Sequence, residues 1–341
     1  MNPANPSNLV NPVNPVNLVN PSNLVNPVNL VNLVNVPDSV ITINQLVRRY
    51  GRTDAVDGLS LRVPSGRCYG FFGRNGAGKT TTIKCLLNLL RPTSGEVRVF
   101  GLDPARDEVA VKSRLAYVPD YVAFYPWMTV RETLDYFAAF RERWNLNTER
   151  ALLDQFRLDV RQKTSHLSKG QRTQVALITA ICPEPELLVL DEPTSGLDPI
   201  VRREFIQTVI GAYQEGDPGH RTVFVSTHLI SEFEGLIDEF TIIDRGRDVL
   251  TMNADTAREQ YQKIYARFST EPTVLDLGGA RLLRRRGREA EILVNGNAAA
   301  VLDRLKALSP ETLTTEALTL EEIFVATLQP DGQDGSVGAI A

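Results

Sequence analysis

Cysteine and histidine are scarce, three of each in 341 residues. Cys68, Cys85 and Cys182 lie far apart, with no CxxC pair and no partnering histidine, so neither a disulfide framework nor a thiolate metal site is expected. Cys68 falls in a predicted strand and Cys85 in a predicted helix, where a free thiol packs as a small hydrophobe. That usage fits a reducing cytoplasm. No run approaches the ~18 consecutive apolar residues of a bilayer span. The N-terminus also lacks the basic start and continuous apolar core of a secretion signal. Any membrane role must therefore draw its membrane part from another subunit. A basic surplus is missing too: the formal net charge is −4, which argues against a dedicated nucleic-acid binder. The one basic run, RLLRRRGRE from Arg281 to Glu289, has no interleaved aromatics and reads as a solvated strand and turn.

What is present is the 43% hydrophobic and 23% charged content of a globular chain, long enough for one large domain and a smaller one. Asparagine recurs at every third position from Asn2 to Asn35. A period of three matches neither helix nor strand, and the prolines remove backbone donors, so residues 1–38 are expected to be a disordered Asn/Pro-rich repeat. A translated tandem nucleotide repeat explains it better than a tether does.

From Val40 the pattern becomes strands alternating with helices, the mark of an α/β domain with a largely parallel sheet. Strands are predicted at VITINQLVRRY, CYGFFG, EVRVF, LAYVP, LLVLD (Leu187–Asp191), TVFVS (Thr222–Ser226), FTIID and DVLTM. Helices are predicted over Thr80–Leu90, near Pro104–Arg114, over Thr129–Trp144, at ALLDQFRL, over Lys169–Ile181 and at VRREFIQTVIGAY. After about Ala254 shorter pieces follow, the strands KIYARFS and EILVN and the helices AAAVLDRLKAL and TLEEIFVATL, which suggest a small α+β domain.

Between CYGFF and the next helix stands GRNGAGKTT: Gly73, Arg74, Asn75, Gly76, Ala77, Gly78, Lys79, Thr80 and Thr81. It meets the pattern GxxxxGK followed by Ser or Thr. Glycines let successive N–H groups turn inward around phosphates, and the helix behind presents its positive end. Lys79 should reach the β- and γ-phosphates and the Thr80 hydroxyl should ligate Mg²⁺. LLVLDE supplies the second half: a buried strand ends in Asp191 at the carboxyl edge of the sheet, where ligands bind in such folds. Asp191 should hold Mg²⁺, and Glu192 is placed to orient or deprotonate the attacking water.

These motifs alone indicate only a phosphate-loop ATPase. With HLSKGQRTQVALITA (His166–Ala180), DEPTSGLDP (Asp191–Pro199) and VSTHL (Val225–Leu229), the chain resembles the nucleotide-binding subunit of ATP-binding cassette (ABC) transporters, over about Val40 to Gly246. The resemblance implies an α/β P-loop NTPase core sheet with an antiparallel β-subdomain and a helical signature subdomain over 39–253. A C-terminal α+β accessory domain over 254–328 and a disordered tail over 329–341 complete the expected organisation. Tyr50 matches the aromatic that stacks on adenine. Ser168 and Gly170 match the signature groups that contact the γ-phosphate held by an opposite subunit, with Lys169 adding charge where Gly is commonest. Gly196, Leu197 and Asp198 match a loop that communicates across the dimer, and His228 matches the switch histidine that holds the γ-phosphate and Glu192. His166 and His220 fall in predicted loops. Asp120 stands where the family usually has Gln; a carboxylate can still ligate Mg²⁺ but lacks the amide donor.

The implied cofactors are ATP and Mg²⁺. The implied partners are a membrane permease on a separate polypeptide and a second nucleotide-binding subunit, homo- or heterodimeric, at the inner face of the cell membrane. YVAFYPWMTVRETL, after Asp120, is read equally as subdomain packing and as the permease contact. TLTLEEIFVATL resembles the C-terminal segment of exporter ATPases. The stretch between Lys79 and Ser168 is short and free of sustained heptads, unlike chromosome-maintenance ATPases. A soluble regulatory or assembly ATPase is the alternative.

Overall fold

The computed structural model describes residues 39–214, 221–272, 275 and 277–329. The expectations for the Asn/Pro-rich repeat, for His220 and for the tail beyond Gln329 lie outside the described residues.

Strands β1 (Ser39–Tyr50), β2 (Thr53–Pro64) and β4 (Ser94–Val99) form an antiparallel sheet in the order β2-β1-β4. The core sheet contains β3 (Cys68–Phe72), β5 (Leu115–Val118), β6 (Leu187–Asp191), β7 (Thr222–Thr227), β8 (Glu239–Asp244) and β9 (Arg247–Asn253), in the order β5-β6-β7-β3-β8-β9. Only the β8–β9 pair is antiparallel. Burial on both faces explains why its strands read as unbroken apolar runs. Alternation divides each strand between two cores: Tyr69, Phe71, Val189 and Phe224 face the three-stranded sheet and α1 (Lys79–Leu86), while Phe72, Leu188, Leu190, Val223 and Val225 face the helical side. Phe71, Phe72 and Phe224 are essentially inaccessible, and each such burial contributes about 1.5–3 kcal/mol.

The helical side is built on α5 (Lys169–Ile181), whose residues Thr173 to Ile181 are all buried. Around it lie α3 (Val130–Ala138), α4 (Leu146–Gln155) and α6 (Pro199–Gln214), with α2 (Glu108–Arg114) at the sheet edge. Capping boxes start α3 (Thr129 with Glu132) and α5 (Ser168 with Gln171), and Asn145 caps α4. Buried Glu149 ties α3 to α4, taking Arg131 Nη1 at 2.6 Å, Arg131 Nη2 at 3.1 Å and Trp144 Nε1 at 2.7 Å.

After α7 (Ile230–Phe233) and α8 (Ala254–Gln260) comes an antiparallel sheet of β10 (Tyr261–Phe268), β11 (Arg281–Arg286), β12 (Glu289–Asn295) and β13 (Pro310–Ala317), in the order β11-β12-β10-β13. One face packs on α9 (Ala298–Ala307) through Ile264, Phe268, Ile292, Val301 and Leu305. Helix α10 (Leu320–Leu328) returns to the large helical-side core, burying Leu320 and Ile323 there. The basic run is the edge strand β11, with Arg284, Arg285 and Arg286 exposed.

Several elements differ from expectation. α1 stops at Leu86 because Asn88 takes a left-handed φ of 55°, and the Asn88 and Leu89 N–H groups return to the Cys85 and Lys84 carbonyls. That is a Schellman ending. The stretch Thr129–Trp144 is not one helix: beyond Ala138 the Arg141 guanidinium donates to the Lys112 and Leu115 carbonyls, and Asn145 starts α4. The helix near Pro104 begins only at Glu108. β2 and β13 had no sequence signal strong enough to name them: β13 is largely polar and exposed, and β2, though it buries Val56, Leu59, Leu61 and Val63, is interrupted at Gly58.

Candidate functional site: a phosphate loop and its acidic partners

β3 delivers the chain to Gly73, and the loop to Gly78 turns it into α1. Two glycines there are required by their surroundings. Gly78 has φ 109°, and a Cβ on it would lie 2.4 Å from the Ala55 carbonyl oxygen; a Cβ on Gly73 would lie 2.7 Å from the Ile243 carbonyl oxygen. Around Gly76 a Cβ would meet nothing within 4 Å, so the loop is packed below and open at its crest. The loop is strapped from beneath: Gly246 N–H donates to the Ala77 carbonyl and Asp57 N–H to the Gly246 carbonyl, each at 2.9 Å. No side chain caps α1 and its first turn holds no acid, so its N–H groups and dipole remain for an anion.

Lys79 turns back under the loop, donating to the Gly73 carbonyl at 2.6 Å and the Arg74 carbonyl at 3.3 Å. Its Nζ also lies 2.9 Å from Glu192 Oε1, and the two side chains are only 5% and 10% exposed. Glu192 sits just beyond β6 with φ 46°, its N–H donating to the Ser226 carbonyl at 2.8 Å. That left-handed turn aims the carboxylate back across the sheet edge. His228 Nδ1 lies 2.8 Å from Glu192 Oε2. The Thr227 hydroxyl and His228 N–H each reach the same oxygen at 3.4 Å. Lysine, carboxylate and histidine thus form one line along the carboxyl ends of β3, β6 and β7.

Asp191, the last residue of β6, is fully buried. Burial pushes its pKa up, and the Glu192 and Asp120 charges push the same way; the neighbouring Thr80 and Ser226 hydroxyls oppose them. Ser226 Oγ donates to Asp191 Oδ1 at 3.1 Å, while Asp191 Oδ2 is buried with no hydrogen-bond partner among the described residues. An orphaned carboxylate oxygen beside a threonine hydroxyl suits a hard divalent cation that prefers oxygen donors. Asp120 is exposed; its charge reaches Asp191 and Tyr117, but no hydrogen bond joins it to the other site residues among those described.

Tyr50 ends β1 on the surface with the Arg48 guanidinium 4.7 Å from its ring centroid. Ser168, Gly170 and Asp198 stand apart from the loop: among the described residues no hydrogen bond links them to Lys79, Thr80, Asp191, Glu192 or His228. Ser168 caps α5, Gly170 lies against Val201, and Asp198 caps α6 by accepting from the Ile200 and Val201 N–H groups at 3.1 Å. Lys169, expected to add charge beside a phosphate, instead donates to the Ser195 carbonyl at 2.6 Å. Glycine at the next position gives the reason, since the Gly196 backbone lets the ammonium approach closely. His166 is exposed at the end of a short turn.

Sequence reasoning overlooked Ser226 and Thr227, which orient the two acids. Their only signal was their place at the end of a buried strand, directly before His228.

The ABC transporter family profile matches residues 56–195. The bacitracin transport ATP-binding protein BcrA of Bacillus licheniformis is 34% identical over 227 residues, 66% of this chain and 73% of that protein. The chain belongs to the ATP-binding subunits of ABC transporters. This ABC subunit is 35% identical to the daunorubicin resistance ATP-binding protein DrrA3 of Streptomyces coeruleorubidus, over 65% of this chain and 71% of that one. It is 29% identical to the Nod factor export ATP-binding protein I of Paraburkholderia xenovorans, over 88% of this chain and the whole of that one. A solved structure described as the ATP-binding subunit of an ABC transporter superposes with a TM-score of 0.59 at 27% identity, covering 65% of this chain and 92% of that one. As a member of this family the subunit is an ATPase with the α/β P-loop NTPase fold. Among its described residues no helix is long and apolar enough to cross a membrane.

Proposed function

We propose that this ABC subunit powers an exporter whose permease is a separate polypeptide, docking peripherally at the inner face of the membrane as one of two nucleotide-binding subunits. The observation that carries the reading is the line Lys79–Glu192–His228 beside an orphaned oxygen of Asp191. The export direction draws support from relatives whose names describe bacitracin transport, daunorubicin resistance and Nod factor export.

In this reading the backbone of Gly73 to Thr81 and the N-terminus of α1 take the phosphates, and Tyr50 stacks on the base. Lys79 leaves Glu192 to meet the γ-phosphate. Thr80 and Asp191 would hold Mg²⁺, with Asp120 adding negative charge nearby, and the ion would supply positive charge to offset that of the phosphates. Glu192, released from the ammonium but still held by His228, orients a water and accepts its proton. Ser168 is exposed at the start of α5 and Gly170 half-buried two residues on, apart from this chain's own phosphate loop; serving a partner's γ-phosphate, they would let two copies close head to tail over two ATP molecules. Residues 254–328 form an accessory domain in this scheme. The permease contact is assigned to Tyr125, Trp127, Tyr136 and Phe140, a group of contacting aromatic rings in which Trp127 is 65% and Phe140 71% exposed.

The test is Glu192→Gln in the full chain. It should bind ATP, lose turnover and accumulate an ATP-dependent dimer in size-exclusion chromatography with light scattering. Turnover at the wild-type rate removes Glu192 from the chemistry, and a variant that stays monomeric with ATP removes the head-to-tail closure.

A further inference from the structure

Arg202, in the first turn of α6, joins two segments that both approach the site. Its Nη2 donates to the Leu197 carbonyl at 3.1 Å, inside the Gly196–Asp198 loop. Its Nη1 lies 2.6 Å from Glu232 Oε1, on the short helix that begins two residues after His228. Glu232 is 10% exposed and Arg202 33%, so solvent screens the contact only in part. The far side of α7 is fixed: Ile230 and Phe233 are fully buried, Glu234 Oε1 accepts from Leu320 N–H at 2.8 Å, and the Glu234 carbonyl accepts from Arg258 at 3.0 Å. Arg202 thus connects the Leu197 loop, through a planar guanidinium, to a helix that is seated in the core and follows directly on His228.

Arginine–carboxylate pairs are frequently bidentate. Here, among the described residues, Arg202 Nε and Glu232 Oε2 are buried without hydrogen-bond partners, so the link to α7 rests on the single Nη1–Oε1 contact.

We propose that Arg202 is a positioning residue that clamps the Gly196–Asp198 loop to the His228 helix within one subunit. Ordering of that loop by the second subunit would then set His228 against Glu192, making hydrolysis depend on a formed dimer. The inference rests on the hydrolytic roles given above to Glu192 and His228.

The experiment compares the full chain with Arg202→Met, Arg202→Lys, Glu232→Gln and the double variant Arg202→Met/Glu232→Gln. Readouts are kcat, KM, affinity for a non-hydrolysable ATP analogue, and melting temperature. Arg202→Met should lower kcat by about tenfold or more, since small displacements of reacting groups cost that much, with analogue affinity unchanged. Arg202→Lys, which keeps one donor for Glu232, should recover part of the loss. The double variant should be no slower than Arg202→Met alone, because both changes break one contact. An unaltered kcat in Arg202→Met overturns the clamp. So does a loss of kcat matched by equal losses of analogue binding and melting temperature, which would mark a purely structural residue. Failure of the wild-type chain to hydrolyse ATP is a different outcome, and it removes the reading beneath the clamp as well.

Discussion

Replacing Glu192 by glutamine should tighten the grip on ATP, the reverse of what losing a site residue usually does. The Lys79 ammonium is held 2.9 Å from Glu192 Oε1, and it must leave that oxygen to reach a γ-phosphate. Glutamine still offers a carbonyl oxygen to the ammonium but lacks the carboxylate charge, so what is lost is the ion-pair attraction, about 1 kcal/mol for two unit charges ~4 Å apart even at the dielectric of water. Glutamine in the same rotamer therefore holds Lys79 roughly 1 kcal/mol less firmly, which is about fivefold in affinity. The substitution also removes a negative charge facing the incoming phosphate, which acts in the same direction. Calorimetric titration with a non-hydrolysable ATP analogue and Mg²⁺ should show wild type weaker than Glu192→Gln by about fivefold or more. The gain should be smaller for ADP, which has no γ-phosphate. It should also survive added salt, because buried charges are screened little. Equal or weaker analogue binding by a variant with an unchanged melting temperature would falsify the idea that this ion pair restrains Lys79.

Glu149→Gln should destabilise the chain by about 2–3 kcal/mol, the range for a broken buried pair discounted because Arg131 is half-open; denaturant titration measures it. Burial works to raise the Glu149 pKa, but the Arg131 and Trp144 hydrogen bonds outweigh it and the net shift is downward. A depressed carboxylate adds stability above its unfolded pKa and loses it as pH falls through the folded value. Wild type should therefore weaken on acidification below its ordinary value of 4.5, a fall that Glu149→Gln should lack. Gly78→Ala should keep the far-UV spectrum but lose nucleotide binding in the same titration, because a Cβ there meets the Ala55 carbonyl at φ 109°. Retained affinity would mean that the loop tolerates a shifted backbone.

Legibility in the sequence followed how local the governing physics was. α5 and β6 were readable to the residue, since LSKGQ carries its own capping box and LLVLD is buried on both faces. α1 and α3 were drawn too long because their ends depend on Asn88 in a left-handed turn and on Arg141 reaching carbonyls about a helix away. β13 hid because PETLTTEA is a polar edge strand, and β2 because Gly58, at positive φ, interrupts its alternation. For the site, the phosphate-loop and strand-end motifs placed Lys79, Asp191 and Glu192 at one sheet edge, and the family resemblance added His228. It could not show that Lys79 rests on Glu192, that Lys169 turns to Ser195, or that Arg202 bridges Leu197 and Glu232. Those contacts are made between segments that the chain brings together only when folded.

The three thiols have a practical consequence. Cys68, Cys85 and Cys182 are all free and buried. Burial raises the pKa of each, that of Cys182 to about 12. At neutral pH the folded chain thus presents almost no thiolate to an alkylating dye or a bifunctional maleimide. The natural sequence is therefore a silent background: one cysteine placed at Asn75 and another at Ser168 would be the only reactive sulfurs. Cross-linking between two chains could then be timed against ATP addition without first stripping the native cysteines.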